Sequence, residues 1–134
     1  MTHESRHLSV FVARPQRDLY AFVVDPRNLP RWAPGLGSEV HRVDDAWFVE
    51  TPHGRVQVTF APRNDLGVLD HRVVTPTGEV VDVPLRVLAV GDESEVVFTL
   101  RRGAGMTDDE LDRDEQLVTA DLARLKQIME AGTP

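Results

Sequence analysis

The stretch from Thr107 to Ala131 constrains the chain most. Thr107-Asp108-Asp109-Glu110 has the form of a capping box, in which the threonine hydroxyl serves the amide three residues on and the glutamate reaches back. Three acids in the first turn also complement the positive end of the helix dipole. Arg124 and Lys126 lie near the other end, followed by Gly132 and Pro134. At 100° per residue, Leu111, Val118, Leu122, Leu125 and Met129 fall within about 60° of one another, an apolar stripe on a helix roughly 37 Å long. Such a stripe has to be covered, and the residues upstream read mostly as strands able to cover it.

The 134 residues form one expected domain, 1–134, long enough to bury a real core. No cysteine is present, which excludes disulfides, thiolate nucleophiles and cysteine-bound metals and fits the expected cytoplasmic setting. The net charge is −7, and the final helix carries eight acids against three bases, or −5 of it. That balance argues against nucleic acid and against an anionic membrane surface as partners. No apolar run is long enough to span a bilayer. The opening Met-Thr-His-Glu-Ser-Arg-His lacks the basic-then-apolar order of a secretory signal.

Residues 6–13 alternate, with Leu8, Val10 and Val12 on one side, and predict a half-buried strand. Pro15 suits the first turn of a short helix carrying Leu19, Tyr20, Phe22 and Val23. Asp25-Pro26 ends it. A second short helical segment is expected across 28–35, broken at Pro34. Six strands follow: Ser38–Val43, Ala46–Thr51, Arg55–Ala61, Gly67–Thr75, Val80–Val90 and Glu95–Arg102. The intervening Asp44-Asp45, Pro52-His53-Gly54, Pro76-Thr77-Gly78 and Gly91-Asp92 have turn chemistry, and consecutive hairpins imply an antiparallel meander. Pro84 cannot donate to a ladder, so an edge, bulge or bend is expected there.

This order, with Ala13-Arg14-Pro15, Ala21-Phe22-Val23-Val24-Asp25-Pro26 and Leu29-Pro30-Arg31-Trp32 near the start, resembles the SRPBCC (START-like, helix-grip) superfamily, and in particular its small polyketide cyclase/dehydrase-like bacterial members. Gly67-Val68-Leu69-Asp70-His71 and Asp121-Leu122-Ala123-Arg124-Leu125-Lys126 share the likeness. The resemblance implies an α+β helix-grip fold: a curved antiparallel sheet of about seven strands, in β-α-α-β6-α order, wrapped around the C-terminal helix. It further implies a cavity between sheet and helix, closed at one end by the short helices. No catalytic set is common to such proteins, so none is carried over.

Several residues could carry chemistry. His71 alternates with Leu69 and Val73 and is expected to face inward, where a histidine can exchange protons near neutral pH. Its plainer role is a hydrogen-bonded structural side chain. Asp70 points to the other face and reads as a surface partner for an arginine. Asp114 and Asp121 flank the apolar stripe of the helix, where a desolvated carboxyl would have a raised pKa. The resemblance places the N-terminal half of that helix along the pocket and so favours Asp114. The expected pocket lining is Trp32, Trp47, Phe60, His71, Phe98, Met106, Asp114 and Val118, although each large apolar member taken singly reads as core before ligand wall. His71 and Asp114 are the catalytic candidates. His41, His53 and His71 lack metal-ligand spacing, and neither a metal nor a cofactor is expected.

Three functions fit. The first is binding of a small apolar or aromatic molecule between sheet and helix. The second is an aromatase/cyclase-type enzyme acting on a polyketide-like substrate. The third is a protein-interaction or stress-response module with an incidental cavity. A homodimer is left open. A polar pair converging inside the cavity would separate the second from the first.

Overall fold

The computed structural model describes residues 3–34 and 39–132. Gly35, Ser38 and Pro134, which figure in the expectations above, lie outside them. The elements run β1 (Ser5–Val12), α1 (Gln16–Val23), a 3-10 turn (Pro26–Asn28), α2 (Leu29–Trp32), β2 (Glu39–Val43), β3 (Ala46–Thr51), β4 (Gly54–Phe60), β5 (His71–Val74), β6 (Val80–Val83), β7 (Leu85–Val90), β8 (Glu93–Arg101) and α3 (Asp108–Glu130). No helix among the described residues is long and apolar enough to cross a membrane.

Among the described residues eight strands form rather than about seven, because the run from Val80 to Val90 breaks at Pro84. The break divides the pairing into two antiparallel sheets, β1-β8-β7 and β2-β3-β4-β5-β6. It also shortens the strand expected over Gly67–Thr75. Residues 71–74 pair with β4 and β6. Residues 67–69 instead cross to β7, where the Leu69 amide donates to the Leu85 carbonyl and the Val87 amide to the Gly67 carbonyl, both at 2.8 Å. Gly67 has φ +74, and a Cβ there would collide with the Val87 carbonyl. A side chain at position 67 is therefore incompatible with the crossing.

Alternation puts one face of most strands inward, while β2 and β6 stay largely exposed. In the smaller sheet, Val10, Val96 and Val87 lie in one cross-strand row, and Leu8, Phe98 and Leu85 in the next. In the larger sheet, Val58 opposes both Trp47 and Val73. Helix α3 lies in this concavity, with Leu111, Leu122, Leu125 and Met129 all buried. Its capping box is complete, with Glu110 N–H to Thr107 Oγ1 at 3.1 Å and Thr107 N–H to Glu110 Oε1 at 3.0 Å.

Polar contacts tie β1 to α3 along their length. Arg6 reaches Asp112 at 2.7 Å, Lys126 Nζ donates to the Phe11 carbonyl at 2.8 Å, and the Ala13 amide donates to Glu130 at 2.8 Å. Arg14 adds a bond of 2.7 Å to the Met129 carbonyl. Pro15 precedes α1 as its extended N-cap residue, with ψ 152, rather than occupying the first helical turn. Asp25 then caps the 3-10 turn by accepting from the Arg27 amide.

Candidate functional site

A cavity of about 70 Å³ lies where α2, the concave face of the sheets and the middle of α3 meet. Helix α2 contributes Leu29 and Trp32, and α3 contributes Val118 and Asp121. The larger sheet supplies Val58 and Phe60 from β4 and His71 and Val73 from β5. Leu85 and Phe98 come from the smaller sheet. The two sheet halves meet here because of the break at Pro84.

His71 stands opposite Phe60 in the β4–β5 ladder, ring centroids 5.2 Å apart and tilted by 49°. Its Nδ1 lies 3.1 Å from the Leu69 carbonyl. A carbonyl can only accept, so Nδ1 carries the proton and Nε2 of the neutral ring has no hydrogen-bond partner among the described residues. Burial pushes the His71 pKa below 6.5, against smaller upward pulls from that hydrogen bond and from Asp70. The same residue also borders an outer depression with Asp70, Val83 and Pro84. His71 therefore sits at the seam between the sheets, with the cavity on one side and solvent on the other.

Asp121 enters from the opposite wall, its side chain only 14% exposed. Burial raises its pKa above the usual aspartate value, and Arg124, 3.2 Å away, opposes the rise. The same Arg124 nitrogen donates to the Trp32 carbonyl at 3.1 Å. Arg124 thus fastens α2 to α3 across the cavity's end. The Trp32 side chain is 4% exposed, and its indole Nε1–H is buried without a partner among the described residues.

Of the residues expected to line a pocket, Trp32, Phe60, His71, Phe98 and Val118 come together here. Trp47, Met106 and Asp114 do not. Trp47 has the inward parity of Val49 but sits where the sheet ends, in a surface depression with Val24 and Pro26, and the Arg42 guanidinium lies 5.8 Å from its ring. Met106 occupies the turn before α3, where its carbonyl accepts from Arg102. Asp114 lies two turns N-terminal of Asp121. Burial and the nearby Glu110 raise its pKa, but it does not line the cavity. Asp121 takes the place foreseen for Asp114, because the middle of α3 faces the cavity and its first turns do not. Leu29, Val58, Val73 and Leu85 gave no sequence signal distinguishing them from ordinary core.

Asp70 makes the expected surface pair. Its carboxylate accepts from Arg86 at 2.8 and 2.7 Å and from the Leu85 amide at 3.0 Å. A larger depression of about 510 Å³ lies elsewhere, between α1 and residues 63–67, lined by Arg17, Arg63 and Asn64 among others. It is broad and open, so it desolvates a ligand little. Among the described residues no three His, Cys, Asp or Glu side chains gather as a metal site.

No family model and no curated protein sequence matches this chain. Solved structures do. Norcoclaurine synthase from Thalictrum flavum superposes with a TM-score of 0.67 at 13% identity, over 99% of this chain and 96% of that one. Ara h 8.0201 does so with 0.67 at 16% identity, over 98% and 100%. The chain has the same helix-grip fold as these proteins. DynU16, from the dynemicin biosynthetic locus, gives 0.70 at 17% identity over 97% of this chain, which spans only 48% of that larger protein. At these identities the likeness fixes the helix-grip architecture and leaves its use to be argued from the site.

Proposed function

We propose that this helix-grip protein binds a small apolar or aromatic molecule in the cavity between its sheets and α3. The lining carries the proposal. Leu29, Val58, Phe60, Val73, Leu85, Phe98 and Val118 offer apolar surface, and among the described residues the titratable lining groups are His71 and Asp121. An enclosed apolar site with a few fixed polar groups is the usual form of a small-molecule site. Removal of ligand surface from water supplies about 25 cal/mol per Å² before the costs of association. At about 70 Å³ the cavity is smaller than the ~150 Å³ that admits benzene, so a ligand of ring size enters only if the cavity walls give way. The names of two structural neighbours, a synthase and a protein of a biosynthetic locus, support a site for an organic molecule.

Native mass spectrometry of gently purified protein, with extraction of any adduct, tests this reading. A stoichiometric apolar adduct, or a thermal shift with members of an aromatic panel, is the expected result. A clean apo mass with no shift across aromatic and lipid panels overturns it.

A second reading is an enzyme of the aromatase/cyclase type. It is favoured by the placement of a histidine whose pKa burial lowers and a carboxyl whose pKa burial raises in the lining of one cavity. Such a pair can take a proton from one position of a substrate and return one to another. Under this reading His71→Ala and Asp121→Asn retain ligand but lose turnover.

A further inference from the structure

We infer that the outer face of the β1-β8-β7 sheet is a docking surface for a basic amphipathic helix of another protein. The inference is independent of the cavity. Among the described residues eight large apolar side chains stand exposed, and four of them gather here. Leu8, Val10 and Val12 of β1 turn inward, so Phe11 points outward and is 57% exposed. Glu95 of β8 pairs with Phe11 on one side and with Leu88 of β7 on the other, so the three form one outward row. Val90, opposite Glu93, continues the face beyond Leu88. Leu66, 75% exposed, borders it, because the carbonyl of the adjoining Gly67 accepts from the Val87 amide.

Exposed apolar side chains gathered on one sheet face mark a surface that another element covers. From the Glu93 row to the Val97 row is about 14 Å at roughly 3.4 Å per residue, and from β1 across to residues 66–69 is about the same at roughly 4.8 Å per strand. That is the footprint of one helix of roughly three turns.

The charges select the occupant. Glu93 and Glu95 lie within this apolar part of the face, and neither makes an ion pair among the described residues. The bases beside it are already committed. Arg86 of β7 holds Asp70 at 2.7 Å, and Lys126, on the Phe11 carbonyl, holds Glu130 at 2.7 Å. A second copy is a poor occupant: laid apolar part to apolar part, it sets Glu93 and Glu95 against their own counterparts, and like charges across an interface cost affinity. An anionic membrane is repelled by the same two carboxylates. A helix with apolar side chains at three- and four-residue spacing, flanked by Lys or Arg, covers Phe11, Leu88 and Val90 and pairs both acids.

Titration of the full chain, labelled with nitrogen-15, with a synthetic Leu/Lys peptide of about 15 residues, long enough to hold a helix, tests the inference. Two controls accompany it: the same residues scrambled so that no apolar stripe remains, and a Leu/Glu helix of the same pattern. The Leu/Lys helix is expected to move the amide resonances of Phe11, Leu66, Leu88, Val90 and Glu95, and to bind about tenfold more tightly than the scrambled peptide, while the Leu/Glu helix does not bind. Phe11→Ser and Leu88→Ser should each weaken binding about fivefold through lost apolar burial. Glu93→Gln combined with Glu95→Gln should weaken it too, and should flatten its decline with added salt. Should a variant fail to fold, the wild-type resonance map still decides. Equal binding by the scrambled peptide, shifts confined to the exposed acids of α3, or no binding at all overturns the inference and leaves the cavity reading untouched. Self-association of the protein in analytical ultracentrifugation, abolished by Leu88→Ser, overturns it as well, since the face then belongs to a second copy.

Discussion

Asp70 holds Arg86 through a two-pronged ion pair of 2.8 and 2.7 Å while also accepting from the Leu85 amide, on the strand that begins just past Pro84. One carboxylate thereby bridges the place where the two sheets part. Asp70→Ala strips a partner from a half-buried amide and a guanidinium, and should cost about 1–2 kcal/mol, discounted for the exposure of the pair. Arg86 holds the Asp70 pKa below the usual aspartate value. A lowered carboxyl pKa stabilises the fold above the unfolded-state value and ceases to do so as pH falls through the folded one. The gap between wild type and Asp70→Ala in urea unfolding should thus be full at pH 7 and close in strong acid. A gap that persists unchanged below pH 3 would remove the electrostatic account.

Asp121 has the opposite sign. Its pKa is raised by burial, so ionising it opposes folding, and that penalty develops as pH rises from the unfolded aspartate value through the folded one. Asp121→Asn keeps an oxygen for Arg124 and removes the buried charge. The variant should melt at or above the wild-type temperature at pH 7, with the advantage shrinking toward pH 4. A variant markedly less stable at neutral pH would show that the Arg124 pair outweighs desolvation.

His71 titrates below 6.5 because its ring is enclosed. The unfolded state then takes up a proton before the folded state does, so this residue's contribution is full above about pH 6.5 and is lost as pH falls through that value toward the folded pKa. NMR titration of the ring should give a midpoint under 6.5. His71→Phe should flatten the loss of stability over the same acid range.

The capping box of α3 offers a local test. Thr107→Ala removes the hydroxyl that serves the Glu110 amide and should cost about 1 kcal/mol by thermal unfolding. Leu122→Ala, in the buried stripe, should cost roughly 2–5 kcal/mol because it opens a hole as well as losing contact.

What the sequence disclosed follows physical reach. Thr107 and Glu110 act across three residues, and the Leu111-to-Met129 stripe repeats with the helix, so α3 is legible from local pattern alone. Pro84 announces a break by its missing N–H. It does not announce how residues 67–69 will use that break, since their pairing with β7 depends on strands distant in sequence. Asp114 and Asp121 fall on the same flank of the helix, and helical periodicity cannot say which one meets the cavity. That choice is made by how far α3 has slid along the sheets. Trp47 has the correct parity but lies at the end of its sheet, and parity carries no information about position along a strand. Leu29, Val58 and Val73 are aliphatic in either role.

The pairing of β1 with β8 joins Ser5–Val12 to Ser94–Arg101, so the first described strand must await the last. Hairpins β2–β3 and β3–β4 can form as soon as they are synthesised, whereas β1 and α1 remain without their sheet until the chain has passed residue 100. Closing so long a loop is slow, because the entropy of closure is lost before the contacts that offset it are made. A nascent chain of this protein thus carries Leu8, Val10 and Val12 uncovered through most of its synthesis, and its exposure to misassembly is set by strand order rather than by its final stability.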